Sequence, residues 1–274
     1  MASPFIDLSR QQATTVRLGI QSDEGNGILA GTEFRGPADA PLFWFVHGFQ
    51  SERMGNKAVS LLEEAKRRGW SFISFDFRGH GESSTTLAGC PEHPLAGLCH
   101  SSLISDMNAI AGHLDTWHTG PRVLIGSSMG GYASAWHAAL HPKKVQGLVL
   151  VAPAWRFGNT ILGRVEKSAP GAGKKWKETG WHDYLGGTST TRLPWRLVEE
   201  AAAHPHTMLA RRLGCPVRVL HAMDDEVIDY LESVEALKLL SANAELLITK
   251  TGGHRLIGYL DKVARMAVDL VSTD

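Results

Sequence analysis

Short, largely apolar runs recur along this chain, and most are separated by stretches with helical spacing. The runs are Leu42–Val46, Ser71–Phe75, Val123–Ser127, Leu148–Ala152 and Val217–His221. Strands of this kind are buried on both faces, which is typical of parallel strands covered by helices. Apolar residues recur at helical spacing over 56–68, 102–117, 129–141 and 231–240, and again from 256. The alternation predicts an α/β fold with a mostly parallel, doubly wound sheet.

Alternating runs at the two ends of the chain add further strands. Thr15–Ile20 and Ile28–Thr32 are separated by a segment containing Asn26-Gly27, a pair that favours a hairpin turn. The glycines of this segment also fit a dinucleotide-binding fingerprint, but that fingerprint requires a helix after it, and a strand-like run follows. A last strand is expected at Glu245–Lys250. The sheet is therefore predicted to have eight strands.

The alternation stops after the sixth predicted strand. Residues 155–212 are rich in Trp, Gly, Lys and Thr and contain no clear buried strand. We therefore predict a core made of residues 1–154 and 213–274, with residues 155–212 inserted after strand 6 as a helical lid.

The composition of this insertion has two interpretations. In the first, Trp155 and Trp181 bind an acyl or aryl group, and Lys174, Lys175 and Lys177 form a basic rim for an anionic substrate. In the second, the tryptophans pack the interior of the lid and the lysines are solvated. The sequence alone leaves both open.

Charge and composition exclude several classes of protein. Lys plus Arg and Asp plus Glu both number 28, so the chain lacks the positive surplus of a nucleic-acid-binding protein. No apolar run reaches about 18 residues, so no membrane span is expected. The first residues do not resemble a secretory signal, and three cysteines are too few for a disulfide scaffold. We predict a cytoplasmic protein, with a Cys90–Cys99 disulfide or a zinc site at Cys90, His93, Cys99 and His100 as minor alternatives.

The segment Gly126-Ser127-Ser128-Met129-Gly130-Gly131 contains the pattern G-x-S-x-G between a predicted strand and a predicted helix. That context is the one the pattern requires. A serine on so sharp a turn presents its hydroxyl above the sheet, and small residues two positions away avoid collision with the strand and the helix. We predict that Ser128 is a nucleophile.

A second motif, His47-Gly48-Phe49, follows the first buried strand. The glycine allows the backbone to turn, so that the amide of Phe49 faces the crevice at the strand ends. The amide of Met129, directly after the nucleophile, is the second expected donor. Together these two N–H groups are predicted to stabilise an oxyanion.

An acid and a histidine follow the last two strands, where open α/β sheets bind their ligands. Asp224 and Asp225 stand side by side after the strand that ends at His221, and we predict Asp225 as the orienting carboxylate. His254 follows Gly252-Gly253 after the last strand and is the predicted general base. The order Ser128, Asp225, His254 is that of the α/β-hydrolases.

These motifs, together with Asp76-Phe77-Arg78-Gly79-His80-Gly81-Glu82-Ser83, resemble those of α/β-hydrolase serine esterases over residues 15–274. The elbow and the segment Gly252–Leu256 are similar to those of a small intracellular subgroup of depalmitoylating and acyl-glucuronide-cleaving esterases with bacterial relatives. The resemblance implies an α/β-hydrolase fold and hydrolysis of a carboxylic ester or thioester. Its imperfections are His221-Ala222 in place of His-Gly and a long segment over residues 84–102.

The implied chemistry is acyl transfer through a covalent acyl-Ser128 intermediate, which requires neither a metal nor an organic cofactor. The expected substrate is a small-molecule ester or acyl compound. A C–C bond hydrolase, a lactonase and a non-catalytic ligand-binding member of the fold remain alternatives. The sequence does not define the acyl chain, the leaving group or the oligomeric state.

Overall fold

The computed structural model of the chain describes residues 12–22, 25–86, 92–186, 189–241 and 243–271. Its strands form one large sheet and one small antiparallel hairpin. The strands are β1 (Thr14–Ser22), β2 (Gly25–Phe34), β3 (Leu42–Val46), β4 (Ser71–Phe75), β5 (Ser84–Thr86), β6 (Arg122–Ser127), β7 (Gly147–Val151), β8 (Trp181–Gly186), β9 (Ser189–Pro194), β10 (Val217–Ala222) and β11 (Ala244–Thr249).

The large sheet has the order β1-β2-β4-β3-β6-β7-β10-β11, with the short strand β5 paired to β2. From β4 to β11 along this order, every neighbouring pair is parallel. β1 and β2 are antiparallel to each other, and β2 is antiparallel to β4. The eight predicted strands and the mostly parallel α/β-hydrolase sheet are confirmed. The sequence did not reveal β5, which has three residues.

The predicted hairpin of the first two strands is confirmed, but Asn26-Gly27 does not lie at its turn. β1 and β2 pair as far as Ser22 opposite Gly25, so Asn26 and Gly27 lie inside β2, opposite Gln21 and Ile20. The pairing extends past the dipeptide because each further pair of residues satisfies backbone donors and acceptors. Gly25 and Gly27 therefore lie in strand β2, whereas the glycines of a dinucleotide-binding turn lie between a strand and a helix.

Helices cover both faces of the large sheet. They are α1 (Asn56–Arg68), α2 (His100–Asp115), α3 (Met129–Leu140), α4 (Phe157–Ser168), α5 (Ala172–Thr179), α6 (Arg196–Ala203), α7 (His206–Arg212), α8 (Leu231–Leu237) and α9 (Leu260–Asp269), with a 3₁₀ turn at Ile257–Tyr259 before α9. Among the described residues, no helix is both long enough and apolar enough to cross a membrane.

Successive side chains of β3 point alternately into two apolar clusters on opposite faces of the sheet. Leu42, Trp44 and Val46 belong to the cluster that also contains residues of α2 and α3. Phe43 and Phe45 belong to the opposite cluster, which contains residues of α1 and α9. Successive side chains of a strand point to opposite faces, so a strand apolar at every position has to be covered on both sides.

The inserted segment, residues 155–212, lies in sequence between β7 and β10 and contains α4 to α7. The expectation of a purely helical lid was incomplete, because the β8–β9 hairpin forms a second sheet. Trp176 is buried, donates its indole N–H to the Leu193 carbonyl at 3.2 Å and packs on Trp195. Lys174 has a side chain that is 84% exposed. These contacts agree with the interpretation in which tryptophans pack the segment's interior.

The cysteine alternatives depend on Cys90. That residue lies outside the described residues, so the Cys90–Cys99 disulfide and the zinc site remain untested. Cys215 is buried just before β10, and burial raises the pKa of its thiol to about 11. A thiol held protonated in this way is a poor nucleophile.

Candidate active site

Ser128 connects β6 to α3 in a conformation that non-glycine residues rarely adopt. Its φ is 56° and its ψ is −119°. Backbone hydrogen bonds hold it there: its N–H donates to the Val151 carbonyl at 3.0 Å, and its carbonyl accepts from the Ala154 N–H at 3.1 Å. Strained residues of this kind cluster at functional sites. The turn presents Ser128 to a cleft at the carboxyl ends of the parallel strands.

The glycines around Ser128 are required by close backbone contacts. A Cβ at Gly126 would lie 2.5 Å from the Gly130 carbonyl oxygen, and a Cβ at Gly130 would lie 2.1 Å from the Val46 carbonyl oxygen. A Cβ at Gly48 would approach the Cβ of Ser128 to 3.1 Å. The elbow therefore depends on backbone packing as well as on local turn preference.

Gly130→Ala should destabilise the protein by about 1–3 kcal/mol, because the backbone of β3 has to move to admit the methyl group. Gly112→Ala is the matched control, since Gly112 lies inside α2 and a methyl group there would have no described atom within 4 Å beyond its own helix backbone and chain neighbours. That change should stabilise the protein by about 0.5–1 kcal/mol. Denaturant unfolding measures both. Equal effects of the two substitutions would contradict the packing argument.

Ser128, His254 and Asp225 form a continuous hydrogen-bonded series. His254 Nε2 lies 3.0 Å from Ser128 Oγ, and His254 Nδ1 lies 2.8 Å from Asp225 Oδ2. A carboxylate only accepts, so Nδ1 carries the ring proton and Nε2 is left to accept the proton of Ser128. Asp225 therefore holds His254 in the tautomer whose Nε2 can act as the base for the Ser128 hydroxyl.

The two neighbouring acids have different partners. The side chain of Asp225 is 0% exposed, and its Oδ1 accepts the N–H groups of Val227 and Ile228 at 2.8 and 2.9 Å. Asp224 instead accepts the N–H groups of Gly252 and Gly253, at 3.2 and 2.8 Å. Asp225 therefore faces His254, whereas Asp224 holds the turn on which His254 is carried.

A buried polar chain lies behind Asp225. His221 Nε2 is 3.1 Å from Asp225 Oδ2, and His221 Nδ1 is 2.8 Å from Ser233 Oγ. Trp155 donates its indole N–H to the same Ser233 oxygen at 3.1 Å. Because the carboxylate of Asp225 only accepts hydrogen bonds, His221 donates to it from Nε2.

These contacts determine the charge state of Asp225. Burial alone would raise its pKa, but the hydrogen bonds from His221 and His254, the positive charge that His254 can carry and the Ile228 N–H together hold the pKa well below its usual value. Asp225 is therefore ionised at neutral pH and can stabilise a positive charge on His254.

The loop after β3 is fixed by His47. Its Nδ1 donates to the Gly48 carbonyl at 2.8 Å, and its Nε2 accepts the Phe77 N–H at 3.0 Å. Burial lowers the pKa of His47 to about 4, so the ring is neutral. Phe49 follows this anchored turn, and Met129 opens α3, where the first backbone N–H groups have no partner within the helix.

The cleft that contains Ser128 and His254 has a volume of about 1110 Å³. Phe49 forms part of its wall, with ring centroids 5.8 Å from Phe157 and 5.9 Å from Tyr184. Phe157 and Tyr184 belong to the inserted segment. That segment therefore contributes aromatic side chains to the cleft, although not the ones expected from the sequence.

Trp155 and Trp181, the predicted substrate-binding residues, are not among the side chains that line this cleft. Trp155 is 1% exposed, and its indole N–H is directed to Ser233. Trp181 is 41% exposed at the start of β8. Hairpin pairing and core packing decide which aromatic rings reach the cleft.

Known proteins resemble this chain in both sequence and fold. The sequence pattern of the serine aminopeptidase S33 family matches residues 39–208. The mitochondrial palmitoyl-protein thioesterase ABHD10 of Rattus norvegicus is 30% identical over 229 residues, which cover 79% of this chain and 69% of that protein.

Solved structures agree with the fold. The mouse alpha/beta hydrolase domain-containing protein 10 superposes with a TM-score of 0.75 at 25% identity, covering 95% of this chain and 98% of that one. A hydrolase from Agrobacterium vitis S4 superposes with a TM-score of 0.79 at 23% identity, covering 95% and 99%. The rat relative is mitochondrial by name, so the cytoplasmic location of this chain stays a prediction.

Proposed function

The chain belongs to the serine aminopeptidase S33 family of α/β-hydrolases and is a hydrolase of the esterase type, and from this membership we propose that it cleaves carboxylic esters or thioesters through an acyl-Ser128 intermediate. The observation that supports this most strongly is the series from Ser128 Oγ through His254 to Asp225, with separations of 3.0 and 2.8 Å. It lies in a cleft large enough for a small-molecule substrate.

In the proposed cycle, Ser128 Oγ attacks the carbonyl carbon while its proton passes to His254 Nε2. The resulting imidazolium is stabilised by Asp225. The amides of Phe49 and Met129 donate to the oxyanion, an interaction worth roughly 3–4 kcal/mol per donor. The tetrahedral intermediate collapses, and His254 returns the proton to the departing oxygen or sulfur.

Water completes the cycle by the same steps. It attacks the acyl-Ser128 carbonyl, gives a proton to His254, and releases the acid as Ser128 Oγ takes that proton back. Each step uses side chains and amides of this chain alone. The aromatic wall of Phe49, Phe157 and Tyr184 is uncharged, which suits an acyl group.

A fluorophosphonate probe and a substrate panel test this proposal. The probe should label Ser128, identified by peptide mass spectrometry, and p-nitrophenyl esters from acetate to palmitate should be hydrolysed beside an acyl thioester. A burst of p-nitrophenol equal to the enzyme concentration would reveal the acyl-enzyme. No labelling and no hydrolysis of any panel member would refute the proposed function.

Ser233→Ala should lower kcat between about 10- and 100-fold with little change in KM, because Asp225 and His254 lose the support of the buried chain and the reacting groups are displaced. Ser134→Ala is the control: Ser134 is also buried, and its hydroxyl has no partner among the described residues. That variant should stay within about twofold of wild type.

A variant that keeps the hydroxyl at position 233 distinguishes a loss of positioning of Asp225 from a general loss of packing. Ser233→Thr keeps the hydroxyl and should recover most of kcat. If Ser134→Ala is as slow as Ser233→Ala, or if threonine fails to restore activity in a folded protein, the chain through Ser233 does not position Asp225.

A further inference from the structure

Two cationic side chains line the cleft beside the reacting groups. Lys57 is the second residue of α1, and Arg255 directly follows His254. Both line the cleft that contains Ser128. Lys57 is partly buried, whereas Arg255 is exposed.

Neither cation has an acidic partner within the described residues. Other arginines of the protein do: Arg53 pairs with Asp76, Arg78 with Asp106, and Arg192 with Asp183. Glu52 and Glu92 line the same cleft, but neither makes an ion pair with Lys57 or Arg255 in the part of the chain that the structure describes. The third unpaired cation of the cleft, Arg164, donates to the Tyr184 hydroxyl at 3.3 Å.

Lys57 and Arg255 are close enough to affect each other. Burial and the positive charge of Arg255 lower the pKa of Lys57 to about 8, which leaves the ammonium mostly charged at neutral pH. Two like charges in a partly desolvated cleft repel each other, and a bound anion relieves that repulsion.

We propose that Lys57 and Arg255 form an anion-binding subsite for a carboxylate or phosphate on the leaving group of the ester. This inference rests on the proposed function, since it concerns the same cleft. His254 has to return its proton to the departing atom, so the leaving group lies against the turn that carries His254 and Arg255. The acyl group is then left to the aromatic rings of Phe49, Phe157 and Tyr184.

Paired substrates that differ only in leaving-group charge test the subsite. For a carboxylate, 4-acetoxybenzoate is compared with 4-acetoxybenzamide. For a phosphate, S-acetyl-4′-phosphopantetheine is compared with S-acetylpantetheine. In at least one pair the anionic member should have a kcat/KM about tenfold higher, as expected for hydrogen bonds to a charged group. The preference should shrink at high ionic strength.

Substitutions of Lys57 and Arg255 test whether these two residues cause the preference for the anionic substrate. Lys57→Met and Arg255→Met should each move the anionic-to-neutral ratio of kcat/KM towards one. Lys174→Met is the control, because Lys174 is a strongly exposed lysine outside the cleft, and it should keep the wild-type ratio. Thermal unfolding of each variant checks that the protein is folded.

The outcomes are distinct. A preference in the benzoate pair alone assigns a carboxylate, and one in the pantetheine pair alone assigns a phosphate. Wild-type ratios within twofold of one in both pairs, or an equal loss in Lys174→Met, would overturn the subsite. If the wild-type protein does not hydrolyse even the neutral substrates, the proposed function is wrong.

Discussion

Ser128→Ala should lower kcat by about 10⁶ while leaving the fold intact, as does loss of the nucleophile in a well-studied serine hydrolase. Among the described residues, Ser128 supplies the hydroxyl that lies within hydrogen-bonding distance of His254 Nε2, and the site offers no substitute nucleophile there. Ser128 is partly exposed and lines the cleft, so removal of its hydroxyl should leave no large cavity. Hydrolysis of a p-nitrophenyl ester measures the effect.

The fluorophosphonate probe gives an independent check of this result. It should label wild type and Ser134→Ala equally and leave Ser128→Ala unlabelled. A purified Ser128→Ala protein that keeps more than about a tenth of wild-type turnover would be incompatible with Ser128 as the nucleophile.

Asp225→Asn should lower kcat by about 10⁴, because an amide in place of Oδ2 turns His254 towards the wrong tautomer. The same substitution at Asp224 is the matched control. Asp224 accepts hydrogen bonds from Gly252 and Gly253, and the carbonyl oxygen of asparagine can still accept one of them. Asp224→Asn should therefore retain activity within about tenfold of wild type.

Steady-state kinetics of the two variants side by side decide the assignment. Circular dichroism should confirm that both are folded. If Asp224→Asn is the crippled variant and Asp225→Asn is active, the orienting carboxylate has been assigned to the wrong residue.

Much of the fold could be predicted because its signals are local. Strands buried on both faces are apolar at every position, as in Leu42–Val46, and helix α1 was predicted over the residues it occupies. Ser128, its flanking glycines and their strand–turn–helix context are also contiguous in sequence. The steric demands that make Gly130 necessary act on the same short segment that reveals it.

Other features depend on contacts between distant residues and left little local signal. The hairpin β8–β9 has mixed exposure, and its pattern did not distinguish it from a loop. The support of Asp225 by Trp155 and Ser233 joins residues 78 positions apart. Lys57 reaches the cleft through the placement of α1, which composition cannot reveal.

The sequence by itself determined the parallel α/β sheet, the serine at its elbow and the candidate acid and base, because each is encoded by short-range periodicity or a compact motif. Only the tertiary structure decided which side chains form the cleft around them. It buried Trp155, exposed Trp181 and Lys174, and brought Phe157, Tyr184, Lys57 and Arg255 to the cleft instead. The physical reason is that the composition of a segment specifies how much apolar and charged surface it has, whereas packing against the rest of the chain selects the surface that faces the substrate.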